Sequence, residues 1–272
     1  MIFLDQSKML LEVKEIGAYK MGTSQSSNGS PSGVPMVPPW AELNAPISES
    51  GRFGPAKRNL GDFIGNGNQG SMQRGIGQYI KKGYGGSRTA TSRMSGTSAK
   101  AQTLFSALLN PGQNPFSQNG APLDPVLLAG KSAQEIMDAI VEVVAPVDGT
   151  QDTEASRESV KDALSELLDQ YPNIDLLNLN DDQRAFALEK FVCGDVYRRI
   201  YLDLGKSIQK KAPSLALGVS RLKEVRDYVR EKVSASFREL KQTGIQLVSN
   251  QISTIVSNAI QETFKVFEGY AE

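Results

Sequence analysis

The strongest helical signal of this chain lies in residues 181–208, DDQRAFALEKFVCGDVYRRIYLDLGKSI. Apolar residues recur there three and four positions apart, which predicts a helix with one broad buried face. These residues are Phe186, Leu188, Phe191, Val192, Val196, Ile200, Leu202 and Leu204. Asp181 and Asp182 favour a helix start, because acidic side chains are stabilised at the positive end of the helix dipole. Cys193 falls within the apolar pattern, and we interpret it as a buried small residue.

Helical spacing extends from this stretch in both directions. It recurs in residues 99–109, 132–146, 152–168, 219–240 and 245–267. Ser132 followed by Glu135 resembles a capping box, in which the two residues satisfy each other's backbone N–H at a helix start. No region contains several alternating strands in succession. The sequence therefore predicts an all-α fold, with about five to seven helices packed as a bundle in residues 99–272.

The segment before this bundle has a different composition. Residues 21–100 contain 15 of the 25 glycines and six of the 13 prolines, and their few apolar residues show no sustained period. Such a segment cannot bury enough surface to offset the entropy lost on ordering. We therefore predict that residues 21–98 form a long, disordered, Gly/Ser/Pro-rich tail. Residues 1–20 are either a removable leader or the product of a mis-called upstream start.

Charge is unevenly distributed, although the formal net charge is +0. Residues 21–100 hold nine Lys/Arg against three Asp/Glu, whereas residues 101–272 hold 18 against 24. Within this acidic body, residues 206–241 are an exception with ten basic and four acidic residues. A basic face of this kind is either salt-bridged within the protein or a contact for nucleic acid or an acidic protein.

Individual basic residues can be named for a nucleic-acid or partner contact. Arg226 and Arg230 lie four residues apart, on one side of the predicted helix 219–240. The segment Gly75–Gly86 interleaves aromatic and basic residues with glycine, as single-strand nucleic-acid binders do, but a solvated linker has the same composition. The candidates in the tail are Arg74, Lys81, Lys82, Arg88 and Arg93.

Composition argues against an enzyme. The chain has no histidine, which removes the commonest general base near neutral pH and the commonest metal ligand. With one cysteine it forms neither an intrachain disulfide nor a cysteine-based zinc site, and a reducing cytoplasm fits this usage. The glycine-rich stretch Gly61–Gly67 lacks the Gly-Lys-Ser/Thr ending of a phosphate loop. We expect no catalytic residue, metal or cofactor and, without a run of 18 apolar residues, no membrane span.

Two short motifs near the N-terminus carry more specific information. Gly22 directly follows Met21, so that removal of the methionine gives a free and unhindered amine, a nucleophile for amide formation. Ser26 completes a match to the N-myristoylation pattern, which needs the same glycine. The proline-rich strip of residues 34–40 favours a polyproline II conformation and ends at the single tryptophan, Trp40. Trp40 docks either on the body of this protein or on a partner.

Three stretches of the chain resemble the QatB family, whose members belong to the bacterial Qat anti-phage defence system. They are residues 21–40, the arginine- and glycine-rich segment Gly83–Ser98, and Phe191–Gly205. The N-terminal stretch is the most specific of the three. The resemblance extends from Met21 to the C-terminal helices and implies a non-enzymatic, cytoplasmic defence component.

The same resemblance implies a set of partners, namely a QueC-like enzyme, a KAP-type ATPase and a TatD-like nuclease. QueC-type enzymes use ATP to convert a carboxylated deazaguanine into a nitrile through an amide. A QueC-like enzyme is therefore expected to join a deazaguanine to Gly22 after cleavage behind Met21, with Thr23, Ser24 and Trp40 recognised by its channel. The alternative is a nucleic-acid-binding effector that uses the basic tail and the 206–241 face.

Overall fold

The protein is built from α-helices. The computed structural model describes residues 32–39, 41–42, 44–109, 123, 128–242 and 247–272. These residues form nine α-helices, and their one β feature is an isolated antiparallel bridge between Pro35 and Ile47. The predicted all-α class is thus confirmed.

The nine α-helices are numbered here along the described residues. In chain order they are α1 (Gly54–Asn66), α2 (Gln69–Gln78), α3 (Ser87–Arg93), α4 (Ser95–Leu109), α5 (Ala133–Val144), α6 (Gln151–Gln170), α7 (Asp181–Gln209), α8 (Leu215–Gln242) and α9 (Ile252–Gly269). A π-helical turn, Tyr79–Gly83, continues α2, and a 3₁₀ turn, Ser249–Gln251, precedes α9.

Helix α7 lies at the centre of the bundle and packs against α1, α4, α6 and α8. It corresponds to the stretch that gave the strongest helical signal. Asn180 caps its N-terminus by accepting a hydrogen bond from the N–H of Gln183, and Asp181 and Asp182 occupy its first turn. Phe191 is fully buried in its apolar face. The capping box expected at Ser132 is also present, at the start of α5.

The helical part begins much earlier than the sequence indicated. The prediction of a flexible tail over residues 21–98 is wrong for residues 54–98. These residues form α1, α2, α3 and the first turn of α4. Their apolar side chains are part of the core, among them Leu60, Ile76 and Tyr79, each fully buried. Residues 21–31 lie outside the described residues, so the prediction for them stays a prediction.

Glycine is the reason for this error. We interpreted it as a sign of disorder, whereas in α2 it allows close helix packing. A Cβ atom at Gly75 would lie 2.6 Å from Leu60 Cγ, and one at Gly77 would lie 2.6 Å from the backbone nitrogen of Ala271. Both distances are too short for real atoms, so a side chain here would push α2 away from α1 and from the C-terminus. The glycines therefore belong to the buried face of α2. Because they have no apolar side chain, they do not contribute to the periodic apolar pattern that reveals a helix in the sequence.

A short strap, residues 32–48, crosses the surface before α1. Its two arms are joined by hydrogen bonds from the N–H of Met36 to the carbonyl of Pro46 and from the N–H of Ser48 to the carbonyl of Val34, both 2.8 Å. Val37 is completely buried and anchors the strap in the core. The described part of the proline-rich strip, residues 34–39, therefore docks on the body of this protein through Met36 and Val37.

Truncation of Phe191 tests the central position of α7. Phe191→Ala should lower the free energy of unfolding by about 3–5 kcal/mol, because it removes a fully buried ring and leaves a cavity. Urea denaturation followed by circular dichroism measures this loss. The control is Val266→Ala on α9, where the side chain is 48% exposed and the change should stay within about 0.5 kcal/mol. A loss below about 1 kcal/mol for Phe191→Ala would contradict the packing described here.

Candidate functional site: a buried charged cluster and exposed basic surfaces

Five charged side chains meet inside the bundle, and we call them the central charged cluster: Arg93, Asp152, Asp195, Arg199 and Asp203. Arg93 of α3 lies 2.7 Å from Asp152 of α6, which Arg199 of α7 also contacts. The Nε atom of Arg199 lies 3.9 Å from Asp195, one turn earlier on the same helix. The cluster therefore connects three helices through charges that are largely withdrawn from water.

The pKa values follow from burial and from these partners. Burial alone raises the pKa of Asp152, but the neighbouring guanidinium groups of Arg93 and Arg199 outweigh it and hold the pKa below its ordinary value. For Asp203, burial dominates and raises the pKa, although the charge of Arg93 and two hydrogen bonds act against it. Asp152 is thus a firmly ionised carboxylate, whereas Asp203 pairs through hydrogen bonds with neutral groups.

Asp203 is held by two tyrosines on the π-helical turn and just after it. The hydroxyl groups of Tyr79 and Tyr84 both donate to the Oδ2 atom of Asp203, at 2.8 and 2.7 Å. The two rings meet edge to face with centroids 5.3 Å apart, and Phe53 stacks on Tyr79 at 5.5 Å. Both hydroxyls thus meet at one oxygen, which ties the π turn and the residue after it to α7.

Sequence reasoning missed this cluster. Asp195, Arg199 and Asp203 recur every four residues, so they lie along one line of α7, beside its apolar residues. Three charges on a line that borders a buried face are the signal that could have revealed the cluster.

The prediction that Arg93 contacts nucleic acid or a partner is wrong. That prediction rests on its position in a basic, glycine-rich segment of the sequence. Its side chain is only 6% exposed and pairs with Asp152, because α3 turns it inward towards α6. Arg93 therefore stabilises the fold and does not face a partner.

The remaining tail candidates lie on the surface. Arg74, Lys81 and Lys82 are exposed, and they lie opposite the buried side of α2 and its π turn. No acidic residue occurs between Gln69 and Gly86 to neutralise them. We call these three residues the α2 basic face. Arg88 is exposed on α3.

In the second basic region, residues 206–241, the four arginines form ion pairs. Arg226 contacts Asp227 at 3.1 Å, and Arg230 contacts Glu166 of α6. Arg221 and Arg238 are paired in the same way, with Glu224 at 3.0 Å and Glu231 at 2.7 Å. This arrangement favours the interpretation as a salt-bridged surface over that of a nucleic-acid contact for Arg226 and Arg230.

The structure does not describe the residues of the predicted modification site. Met21, Gly22, Thr23, Ser24 and Trp40 lie outside the described residues. Their roles in processing, modification and recognition therefore remain predictions. The nearest described part of the chain is the strap, which begins at the exposed Ser32.

The described residues show little that could support catalysis. They contain no group of three or more His, Cys, Asp or Glu side chains placed to hold a metal ion. Cys193 is buried, and burial raises the pKa of its thiol to about 12, so it is not a reactive nucleophile. In this part of the chain, no helix combines the length and the hydropathy that crossing a membrane requires.

Two substitutions of Asp203 test its role as a hydrogen-bond acceptor. Asp203→Asn keeps an oxygen for the two tyrosine hydroxyls, whereas Asp203→Leu leaves both of them buried and unpaired. An unpaired buried hydroxyl costs about 1–3 kcal/mol, so the leucine variant should be clearly less stable than the asparagine variant. Urea denaturation of both proteins measures the difference. Equal stability of the two variants would show that the hydrogen bonds do not hold the N-terminal helices.

Comparison with known proteins places the chain in a family. The family model of QatB, the Qat anti-phage system associated protein, matches residues 85–267, from the start of α3 to the end of the core in α9. No curated protein and no solved structure matches the chain. The family match covers more than half of the 272 residues and includes all five residues of the central charged cluster and all of α7. The chain therefore belongs to the QatB family of the Qat anti-phage system.

Proposed function

We propose that this chain is a non-enzymatic component of the Qat system and the protein substrate of a QueC-like enzyme, which modifies it at Gly22. The observation that carries the proposal is membership in the QatB family, which supports a role beside the other components of that system. The helical body, without a metal-binding group among its described residues, fits a partner protein better than a catalyst.

The chemistry at Gly22 is amide formation. ATP activates the carboxylate of a deazaguanine as an acyl adenylate on the enzyme. The Gly22 amine attacks the carbonyl carbon, a C–N bond forms, and AMP leaves with the oxygen of the broken C–O bond while the amine loses a proton. Glycine suits this step because it has no Cβ to hinder the approach of the amine. The step requires a free Gly22 amine, supplied by cleavage behind Met21 or by removal of an initiating methionine.

The strap supports this proposal because it fixes how far Gly22 can lie from the body. Gly22 precedes Ser32 by ten residues, so an extended chain spans at most about 35 Å between them. An enzyme that contacts the body near the strap is therefore within reach of the Gly22 amine. We propose that Thr23 and Ser24 enter the enzyme channel behind Gly22 and that Trp40 contributes to docking.

Further partners and the compartment are also part of the proposal. A KAP-type ATPase and a TatD-like nuclease are the other candidate partners, and the helical body is the part that would bind them. The cytoplasm is the proposed location, since the chain uses a single, buried cysteine.

Replacement of Gly22 by a bulky residue tests the proposal. Gly22→Trp should abolish modification and phage protection, because the indole blocks access of the amine to the activated carboxyl. Protection assays, circular dichroism and intact mass of the protein co-expressed with its partners measure the three properties together. The matched control is Gly29→Trp, the same change seven residues further along the chain. Full protection by an unmodified Gly22→Trp protein would overturn the proposal.

A second candidate function is single-strand nucleic-acid binding, and one observation favours it. The α2 basic face presents Arg74, Lys81 and Lys82 to solvent with no acidic residue in the same helical segment. Cations without an ion pair among the described residues are available to phosphates, whereas Arg226 and Arg230 already pair with carboxylates.

Salt dependence tests this second function. The triple variant Arg74→Gln, Lys81→Gln, Lys82→Gln should weaken binding of a single-stranded oligonucleotide. It should also reduce the slope of log affinity against log salt by about 2, since each lost phosphate contact accounts for about 0.7. Fluorescence anisotropy at several salt concentrations measures this slope. The control is Arg226→Gln with Arg230→Gln, and an equal effect of both variants would contradict a site on α2.

A further inference from the structure

A polar cleft lies where the strap, α3, α4 and α9 meet. Its volume is about 270 Å³, and its lining residues are Ala41, Arg88, Thr91, Ser92, Ser95, Ser257 and Gln261. Six of these seven residues carry polar side chains, and none is acidic. The cleft is remote in sequence from Gly22 and does not include the α2 basic face.

The polar groups of this cleft have unused hydrogen-bonding capacity. Arg88, Ser92, Ser257 and Gln261 make no side-chain hydrogen bond or ion pair with any described residue. The hydroxyl oxygen of Ser95 is buried and also has no partner there. Thr91 differs, because its hydroxyl donates to the carbonyl of Ser87 at 2.9 Å. Polar groups withdrawn from water are normally paired, so the four half-buried ones around this cleft, together with the exposed Arg88, point to a ligand.

The electrostatic character of the cleft selects an anion. The guanidinium of Arg88 is a permanent positive charge with a planar set of donors that match two oxygens of an anion. Ser95 is the first residue of α4, so the cleft also borders the positive end of a 15-residue helix. With no lining carboxylate to repel it, a negatively charged group is stabilised here.

We propose that this cleft binds a phosphoryl group. A phosphoryl group presents three terminal oxygens. Arg88 can hold two of them, and the serine hydroxyls and the amide of Gln261 remain for the third and for an ester oxygen. A carboxylate has two oxygens and would leave most of these donors unpaired. The phosphoryl group belongs either to a small phosphate monoester or to a nucleic-acid backbone, and both share this recognition.

Binding of phosphate-bearing probes to the full chain tests the proposal. The probes are inorganic phosphate, thymidine 5′-monophosphate and a single-stranded DNA without a terminal phosphate, with thymidine and sodium chloride of equal ionic strength as references. Thermal unfolding and amide NMR shifts measure binding. Loss of one charge-assisted contact should raise the dissociation constant about tenfold or more in Arg88→Gln. The control Arg58→Gln, an exposed arginine on α1, should bind like the unmodified protein.

The possible outcomes distinguish the two sources of the phosphoryl group, and each of them either supports or overturns the proposal. Binding of phosphate and the monophosphate, weakened in Arg88→Gln and retained in Arg58→Gln, supports a monoester site. Binding of the DNA alone with the same dependence on Arg88 supports a backbone site. No binding by any phosphate-bearing probe, or equal weakening in both variants, overturns the proposal. Ser257→Ala is a second variant, expected to weaken binding without affecting the fold.

Discussion

The fold depends on a line of charges along one helix. Asp195, Arg199 and Asp203 lie a turn apart on α7 in the interior, and charges withdrawn from water need partners inside the protein. Those partners come from helices that are distant in sequence. Arg93 and Asp152 complete the ion pairs, and tyrosine hydroxyls satisfy Asp203. The positions of α3, α6 and the π turn are therefore set by the electrostatics of α7 as well as by apolar packing.

This constraint explains why the glycine-rich N-terminal region is part of the body. The hydroxyl of Tyr79 reaches Asp203 only if α2 lies close to its neighbours, and Gly75 permits that approach. The strap then closes over the bundle through Val37. Because the folded body begins at the strap, any segment that precedes the strap in the chain is attached to the body at a fixed point. Under the proposed function, this point of attachment limits how far from the body a bound enzyme can reach Gly22.

The surface is divided into regions with different electrostatic roles. On α8, arginines are paired with carboxylates, and one of these pairs, Arg230–Glu166, links α8 to α6. On α2 and its π turn, cations face solvent in a segment, residues 69–86, that has no acidic residue. At the cleft, Arg88 stands among hydroxyl groups that have no partner among the described residues. Basic residues that look alike in the sequence therefore stand in three different electrostatic environments.

The sequence by itself determined the helical class, the central helix and the capping box of α5. Spacing in residues 181–208 defines a buried face, and the capping residues at Asn180 and Ser132 act within a few positions, so both are local properties. The tertiary structure alone decided the role of Arg93 and of the glycines in α2. Burial of Arg93 depends on Asp152, which is 59 residues away, and the value of Gly75 depends on Leu60 across a helix pair. Such contacts produce no periodic pattern in a single sequence, because they depend on a residue that only folding brings close.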